Sequence, residues 1–236
     1  MAYSTFKPIV TDGLVLNLDA ANRRSFVSGS TVWNDLSGRG NTGTLNGPTG
    51  GLPSYSSANG GSIVFDGTDD YVNCGTVNSL GSNPALPFSV SVWVKKNVNG
   101  TASVFEKYQG ITITGVWGWL VRLDQPSTND VFLYLNKSQV SESVILATGV
   151  LSLNTWINIT FTYDGSFGYL YINGVFKSSG ATTGGTISTR NFNLGILSVN
   201  NGLPLNGNIG NVLGYTKTLS ATEVLQNYNA LKNRYI

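Results

Sequence analysis

The sequence predicts an all-β fold, a two-sheet antiparallel sandwich with one short helix near the C-terminus. Two observations support this prediction. Segments that alternate apolar and polar residues recur along the whole chain, separated by Gly, Asn and Asp residues that favour turns. No change of composition divides the 236 residues into two domains. We therefore expect an N-terminal arm over residues 1–12 and one sandwich domain over residues 13–236.

The clearest strand signals lie between Trp156 and Val175. Within Trp156–Tyr163, apolar residues alternate with Asn158, Thr160 and Thr162, which predicts one buried face and one face that solvent can reach. An Asp-Gly pair and an Asn-Gly pair then turn the chain twice. Three consecutive antiparallel strands are predicted here.

A second clean alternation, Phe88–Lys95, is predicted to bury the apolar residue at every other position. Asn99-Gly100 follows it as a hairpin signal, so this strand and the next are expected to be neighbours in one sheet. Trp33–Asn41 and Gly43–Gly61 are rich in turn-forming residues and are predicted to be irregular. Further strands are predicted at Leu14–Leu18, Ser62–Asp66, Tyr71–Cys74, Ala102–Lys107, Trp117–Leu123, Val131–Asn136, Val144–Ala147, Val175–Ser178, Asn193–Leu197 and Ile209–Tyr215.

The helix is predicted over residues 221–232. Ser220 and Glu223 have the spacing of a capping box, and Leu219 and Val224 can form a hydrophobic staple around it. An amphipathic helix at the end of an all-β domain most often covers a sheet edge or one end of a sandwich. Binding of a partner by this helix is the alternative.

Composition and charge exclude several classes of function. Charged residues make up 11% of the chain, and the net charge of +2 comes without basic runs, which argues against a nucleic-acid or membrane partner. Cys74 is the only cysteine, so an intrachain disulfide is excluded and a buried thiol is expected. Residues 1–8 lack the apolar core of a signal peptide, and we expect synthesis in a cytoplasm.

Four motifs in order carry a family resemblance: Phe65–Val72, Phe88–Val94, Trp156–Val175 and Gly207–Val212 ahead of the capped helix. Together they resemble a laminin-G-like domain of the concanavalin A-like lectin and glucanase superfamily. The resemblance covers nearly the whole chain and implies a curved two-sheet jelly roll.

The opening Asp12–Asn22 with Trp33–Gly38, and the ending Leu219–Ala230, are similar to laminin-G-like proteins of tailed bacteriophages, especially marine and cyanobacterial ones. This resemblance implies a place on the virion surface. The partners it implies are other virion proteins, either a major capsid protein or a tail or fibre protein. A homo-oligomer is compatible with a position on the virion surface, but no heptad repeat in the sequence indicates a particular oligomeric state.

The residues argue against catalysis. Glucanases of the superfamily need two carboxylates that flank the scissile bond, and no paired acidic motif of that kind occurs on a strand. Glu106 and Glu142, the glutamates of the strand region, each lack an acidic neighbour two to five positions away. Histidine is absent, which removes the most common general base. We expect that the chain is not an enzyme and needs no cofactor.

Asp66, Asp69 and Asp70 form the one acidic cluster of the sequence. Oxygen ligands at this spacing are candidates for calcium, with Asn73 or a carbonyl completing the shell. The favoured interpretation is structural, with Asp66 and Asp69 accepting hydrogen bonds from the amides of their own turn.

A candidate sugar platform comprises Trp117 and Trp119, with Tyr108, Gln109, Arg122 and Asp124 nearby. Aromatic faces stack on pyranose rings, and amide and guanidinium groups hydrogen-bond sugar hydroxyls. Because the two tryptophans are two residues apart on a predicted strand, they share one face, and burial in the core is the competing expectation.

Two functions from different classes follow. In the first, the chain is a non-enzymatic structural protein of a tailed-phage virion, displayed on the outer surface as a capsid decoration protein or short fibre component. In the second, it is a lectin-like adhesin module that recognises a host surface polysaccharide. The two functions are compatible on one surface.

Overall fold

The computed structural model of the protein describes residues 7–108, 118–136, 142–181, 188–198 and 202–236. Within these ranges the chain forms strands and one α-helix, α1 (Ala221–Leu231). The strands are β1 (Leu14–Asp19), β2 (Val32–Trp33), β3 (Gly43–Asn46), β4 (Ser54–Ser56), β5 (Ser62–Asp66), β6 (Tyr71–Asn73), β7 (Phe88–Lys96), β8 (Ala102–Lys107), β9 (Gly118–Leu123), β10 (Val131–Asn136), β11 (Glu142–Ala147), β12 (Trp156–Tyr163), β13 (Phe167–Ile172), β14 (Val175–Ala181), β15 (Asn193–Leu194) and β16 (Asn206–Tyr215).

The strands form two antiparallel sheets that face each other. Sheet A has the order β14-β13-β12-β7-β16-β5-β4, with β1 beside the second half of β16. Sheet B has the order β11-β10-β9-β8-β15-β6-β3-β2. The core lies between them and includes Phe88, Val90, Val92 and Val94 from β7, as the alternation of this strand predicts. The predicted two-sheet sandwich with a short C-terminal helix is confirmed.

Three short strands were missed by the sequence analysis. Gly43–Asn46 and Ser54–Ser56 are strands inside the segment predicted to be irregular, and Val32–Trp33 begins the predicted polar loop. β2 and β4 are the outermost strands of their sheets. Short edge strands are held by pairing with a longer neighbour, so their own residues need little strand propensity.

The hairpin predicted at Asn99-Gly100 is wrong. β7 pairs with β12 and β16 in sheet A, whereas β8 pairs with β9 and β15 in sheet B. The Asn-Gly pair therefore carries the chain from one sheet to the other. By contrast, β12, β13 and β14 pair consecutively, as the alternation and the two turns predict.

The polar face of β12 is buried, not reachable by solvent. Asn158, Thr160 and Thr162 are at most 2% exposed. Asn158 Nδ2 and Thr160 Oγ1 both donate to Ser91 Oγ on the neighbouring strand, at 3.1 and 2.8 Å. Side chains that bond one another in this way can be covered without loss of their hydrogen bonds.

The C-terminal segment lies on this outer face of sheet A. The amide of Leu219 donates to Ser89 Oγ, and Thr218 Oγ1 donates to the carbonyl of Tyr163. Further along, Tyr228 of α1 stacks on Trp93 of β7 with ring centroids 5.6 Å apart. The helix begins at the predicted capping box, in which Ser220 and Glu223 bond each other's backbone amides.

The described part of the predicted N-terminal arm is fixed beneath α1. The amide of Val10 donates to Asn227 Oδ1 at 2.8 Å, and its carbonyl accepts from Tyr215. Asn227 is 2% exposed, so the arm and helix share a buried polar contact.

Candidate functional site

The outer face of sheet B carries one continuous row of side chains. Antiparallel pairing places six residues side by side, in the order Thr44, Asn73, Asn193, Glu106, Leu120, Tyr134. Side chains of directly paired residues point to the same face of a sheet. The row therefore has a polar half on β3, β6, β15 and β8, and an apolar half on β9 and β10.

A groove of about 450 Å³ opens over the polar half. Tyr71 and Asn73 reach it because they flank Val72, which is fully buried in the core. The opposite wall is the segment ahead of β15, where Thr189, Arg190 and Asn191 are exposed. Asn193, Ile196 and Ser198 complete the lining.

Glu106 lies beside the groove and is fully buried. Its Oε1 accepts from Asn193 Nδ2 at 2.8 Å and from the amide of Ser198 at 3.4 Å, while Oε2 accepts from the amide of Tyr108 at 2.7 Å. Burial raises the pKa of Glu106, against the lowering effect of the hydrogen bonds from Ser198, Asn193 and Tyr108. Glu106 thus fixes the amide of Asn193, and it is the only carboxylate in the row.

The apolar half of the row is closed. The rings of Tyr108 and Phe132 lie 5.5 and 6.1 Å from that of Tyr134, and all three residues are less than 10% exposed. Leu197 and Leu203, from the connection between β15 and β16, join this cluster. The three described rings on this side of the groove are therefore unavailable to a ligand.

The predicted sugar platform does not form as proposed. Trp119 is wrong as a platform residue, because it is fully buried between the sheets against Phe88, Phe105 and Phe192. Its indole N–H donates to the carbonyl of Gly81 at 3.0 Å. The competing expectation of a core tryptophan is confirmed for Trp119. Trp117 and Gln109 lie outside the described residues.

Arg122 and Asp124 bind different partners and do not form a joint site. Arg122 is half-buried on the outer face of β9 and donates from Nη1 to Gln125 at 3.1 Å; burial lowers the pKa of its guanidinium. Asp124 is buried in an ion pair with Lys96. Burial opposes ionisation there, yet the hydrogen bonds from Lys96 and from the amides of Asn129 and Gly100 hold the pKa of Asp124 below its usual range. Asp124 therefore ties two loops together and is already fully engaged.

The acidic cluster is more closely grouped than its sequence spacing indicates. One carboxylate oxygen from each of Asp66, Asp69 and Asp70 lies within 4.8 Å of the others. Asp66 Oδ1 accepts from the amide of Thr68 in its own turn, as predicted. Asp69 Oδ2 instead accepts from the amide of Thr49 at 2.8 Å, on a different loop.

A glycine-rich loop, residues 47–51, encloses this cluster. A Cβ built on Gly47 would lie 1.6 Å from the carbonyl oxygen of Gly51 and 2.8 Å from Asp70 Oδ1, so both oxygens border the space that glycine leaves free. Asp69 Oδ1 is buried and has no hydrogen-bond partner among the described residues. Burial and the charges of Asp66 and Asp69 raise the pKa of Asp70 to about 6, against the hydrogen bond from the Asp66 amide. Converging oxygens with an unpartnered carboxylate oxygen fit a hard cation such as calcium.

Sequence reasoning missed most of the groove. Asn73 was noted only as a possible ligand of calcium, and Thr189, Arg190 and Asn191 were not singled out. Their positions depend on the pairing of β15 between β6 and β8, which joins segments about a hundred residues apart. The available signal was the alternation around Phe192, with Asn191 and Asn193 on either side of a buried ring.

Comparison with solved structures shows the same fold in other proteins. The chain resembles domain 4 of AbnA, a GH43 extracellular arabinanase from Geobacillus stearothermophilus in complex with arabinotriose, with a TM-score of 0.71, 21% identity, and coverage of 91% of this chain and 98% of that one. It also resembles the binding domain of botulinum neurotoxin serotype G, with a TM-score of 0.65, 18% identity, and coverage of 91% and 50%. The binding domain of Paraclostridial Mosquitocidal Protein 1 gives a TM-score of 0.70, 16% identity, and coverage of 93% and 52%. The chain thus spans about half the length of the two toxin domains.

No curated protein sequence matches the chain significantly. In the described part of the chain, no helix has the length and apolar character needed to cross a lipid bilayer. The family model Laminin_G_3 matches residues 66–225, a range that includes β6 to β16, the groove, the acidic cluster and the first residues of α1. By this match, the chain belongs to the laminin-G-like branch of the concanavalin A-like lectin/glucanases superfamily.

Proposed function

We propose that the protein is a carbohydrate-binding module and that the groove on the outer face of sheet B is its binding site. The observation that carries this proposal is the lining of the groove. It combines one half-exposed aromatic ring, Tyr71, with three asparagine side chains and one arginine.

This combination matches the chemistry of a sugar ring. One face of a pyranose or furanose ring is apolar and stacks on an aromatic ring, while the hydroxyls around it both donate and accept hydrogen bonds. Asparagine offers a donor and an acceptor on one short side chain. Asn193 is held in place by Glu106, and Asn73 Oδ1 accepts from the amide of Gly75 at 2.8 Å, so the two floor residues are fixed before a ligand arrives.

The similar structures support this function at the level of the fold. One of them was determined in complex with arabinotriose, and others are receptor-binding domains of toxins. We propose binding without hydrolysis. A glycosidase needs two carboxylates across the bond, whereas the row beneath the groove offers only Glu106, whose two oxygens already accept three hydrogen bonds.

We further propose that the module is displayed on the surface of a tailed-phage virion, as a decoration protein or short fibre component. The similarity of Asp12–Asn22 and Leu219–Ala230 to phage laminin-G-like proteins supports this place. The partners would then be a capsid or tail protein and a glycan of the host surface. Mass spectrometry of purified particles tests it: the protein is expected among the structural proteins, and its absence would refute the virion role while leaving sugar binding open.

Binding is tested on a glycan array, followed by calorimetry with the best ligand. We expect Tyr71→Ala to weaken binding about tenfold, since the stacking surface is lost. Tyr169→Ala is the matched control: Tyr169 is also a half-buried tyrosine on an outer face, but it lies on sheet A. An array without any bound glycan, or equal losses in the two variants, would contradict the proposal.

A further inference from the structure

We propose that the groove selects acidic glycans and that Arg190 pairs with the sugar carboxylate. This inference deepens the proposed function and rests on it. A guanidinium group presents donors in a fork that matches the two oxygens of a carboxylate, so one arginine in a sugar site favours a carboxylated ring over a neutral one.

The charge of the groove points to an anionic ligand. Arg190 is exposed, and it takes part in none of the four ion pairs found among the described residues. No other lining residue carries a charge. The segment that contains Arg190 and its sequence neighbours also lacks carboxylates: no acidic residue occurs between Asp164 and Glu223.

The carboxylates that adjoin lining residues in sequence or in strand register are directed elsewhere. Glu106 is fully buried beneath Asn193, with both oxygens engaged by donors. Asp70 precedes Tyr71, but its Oδ2 accepts from the amide of Asp66 at 2.9 Å. Asp69 is bound to Thr49 of the glycine-rich loop. A ligand carboxylate beside Arg190 therefore has the guanidinium as its nearest charged group in the lining.

The backbone around Arg190 is anchored on both sides. Ser188 is fully buried, its amide donates to the carbonyl of Ser82 at 2.8 Å, and its Oγ accepts from the Arg190 amide at 3.3 Å. On the other side, Phe192 is fully buried; its amide donates to the carbonyl of Gly75 at 2.8 Å, and its carbonyl accepts from the amide of Cys74 at 2.9 Å, just after β6. Three exposed residues between two buried anchors form a short, well-defined wall. This anchoring fixes the backbone position of Arg190, which reduces the conformational entropy lost when its guanidinium group pairs with a ligand carboxylate.

The test compares each acidic sugar with its own neutral form. Oligogalacturonate and sialyllactose are measured beside their methyl esters. Desialylated keratan sulfate, which carries sulfate groups but no uronic acid, is included to distinguish carboxylate from sulfate recognition. We expect at least one carboxylated sugar to bind about tenfold more tightly than its ester, and this preference to weaken with added salt. Arg190→Gln should abolish the preference, and Arg190→Lys should restore part of it.

The outcomes separate the two proposals. Equal binding of acid and ester, or an unchanged preference in Arg190→Gln, would overturn the acidic-glycan inference, as would a preference for sulfate over carboxylate. If neutral sugars bind best and Tyr71→Ala removes that binding, the inference fails while the proposed function stands. If neither acidic nor neutral sugars bind, both fail together.

Discussion

Lys107 shows how single buried polar atoms hold the connection between β6 and β7. Its ammonium group donates to the carbonyls of Thr76 and Val77 and to Ser82 Oγ, and the lysine is fully buried. The indole of Trp119 reaches Gly81 in the same connection. Val77, a β-branched residue, has a positive φ of 34°, an unfavourable backbone conformation that these hydrogen bonds help to maintain.

We expect the burial of Lys107 to appear as a pH dependence of stability. Burial lowers the pKa of Lys107 from 10.5 to about 8. Between these values the unfolded chain binds a proton that the folded chain has released, so the free energy of unfolding should rise with pH, by about 3 kcal/mol over the whole window. Denaturant titrations between pH 7.5 and 9.5 measure this slope.

The comparison variant for this prediction is Lys107→Met, which keeps the length of the side chain and removes the charge. The rise should be absent in the variant, whatever its absolute stability. Burial also raises the pKa of the Cys74 thiol, so near the upper end of this window the unfolded chain releases a thiol proton that the folded chain keeps. This effect lowers stability with pH in wild type and variant alike, and the raised pKa of Tyr163, about 12, acts in the same direction above the window. The prediction fails if wild type and variant show the same slope. If the variant does not fold, a wild-type stability that fails to rise between pH 7.5 and 8.5, below the ordinary pKa of a thiol, refutes the prediction.

At the scale of elements, sequence patterns predicted what is local and missed what depends on pairing. Strong alternation located β7 and β12, and the capping box located the start of α1. The Asn99-Gly100 turn was assigned to a hairpin because a two-residue turn signal carries no information about which sheet the next strand joins. The 43–46 strand was missed because its Gly-Thr-Leu-Asn sequence gains its structure from pairing with β6.

The acidic cluster between β5 and β6 and the 47–51 loop should respond together to calcium. Calcium would bind the carboxylates of Asp66, Asp69 and Asp70 and stabilise the folded state, by about 2.7 kcal/mol at a hundredfold excess over its dissociation constant. The melting temperature is expected to rise with millimolar calcium. Asp69→Asn should remove this rise, whereas Asp164→Asn, which alters an acidic residue of a separate turn, should not.

The pH dependence of this cluster provides a second readout. Because the pKa of Asp70 is raised to about 6 in the folded state, the metal-free protein should lose stability as pH rises from about 4 to 6. A bound cation favours the ionised carboxylate, so calcium should stabilise more at pH 7 than at pH 5. An unchanged melting temperature at both pH values would show that the cluster does not take up calcium under these conditions.

At the scale of the whole molecule, the sandwich class followed from composition and periodicity, whereas the groove did not. Alternation identifies which residues face the core, and it placed Phe88 to Val94 correctly. Alternation does not reveal which outer face another segment covers. Asn158 and Thr160 are therefore predicted at the surface, whereas the segment before α1 and the helix itself cover the outer face of sheet A. The groove on the outer face of sheet B depends on the register that places Asn73, Asn193 and Glu106 side by side, and sequence patterns do not reveal this register.

The continuity of the core predicts that the described sandwich unfolds as one unit. A single cluster of buried side chains draws on both sheets and includes Trp33 and Trp119, and Trp93 and Trp156 are buried beside α1. Because the inner face of each sheet is covered by the other sheet, partial unfolding would expose apolar surface on the part that remains. Tryptophan fluorescence and far-ultraviolet circular dichroism, followed through the same urea titration, should therefore give coincident transitions. Two resolved midpoints would show that one sheet, or the layer formed by α1 and the N-terminal arm, is stable alone.

The variant Tyr235→Ala tests whether this helix layer belongs to the cooperative unit. The ring of Tyr235 stacks on that of Trp93 with centroids 4.4 Å apart. If the layer unfolds together with the sandwich, loss of this ring should shift the fluorescence and circular dichroism midpoints equally.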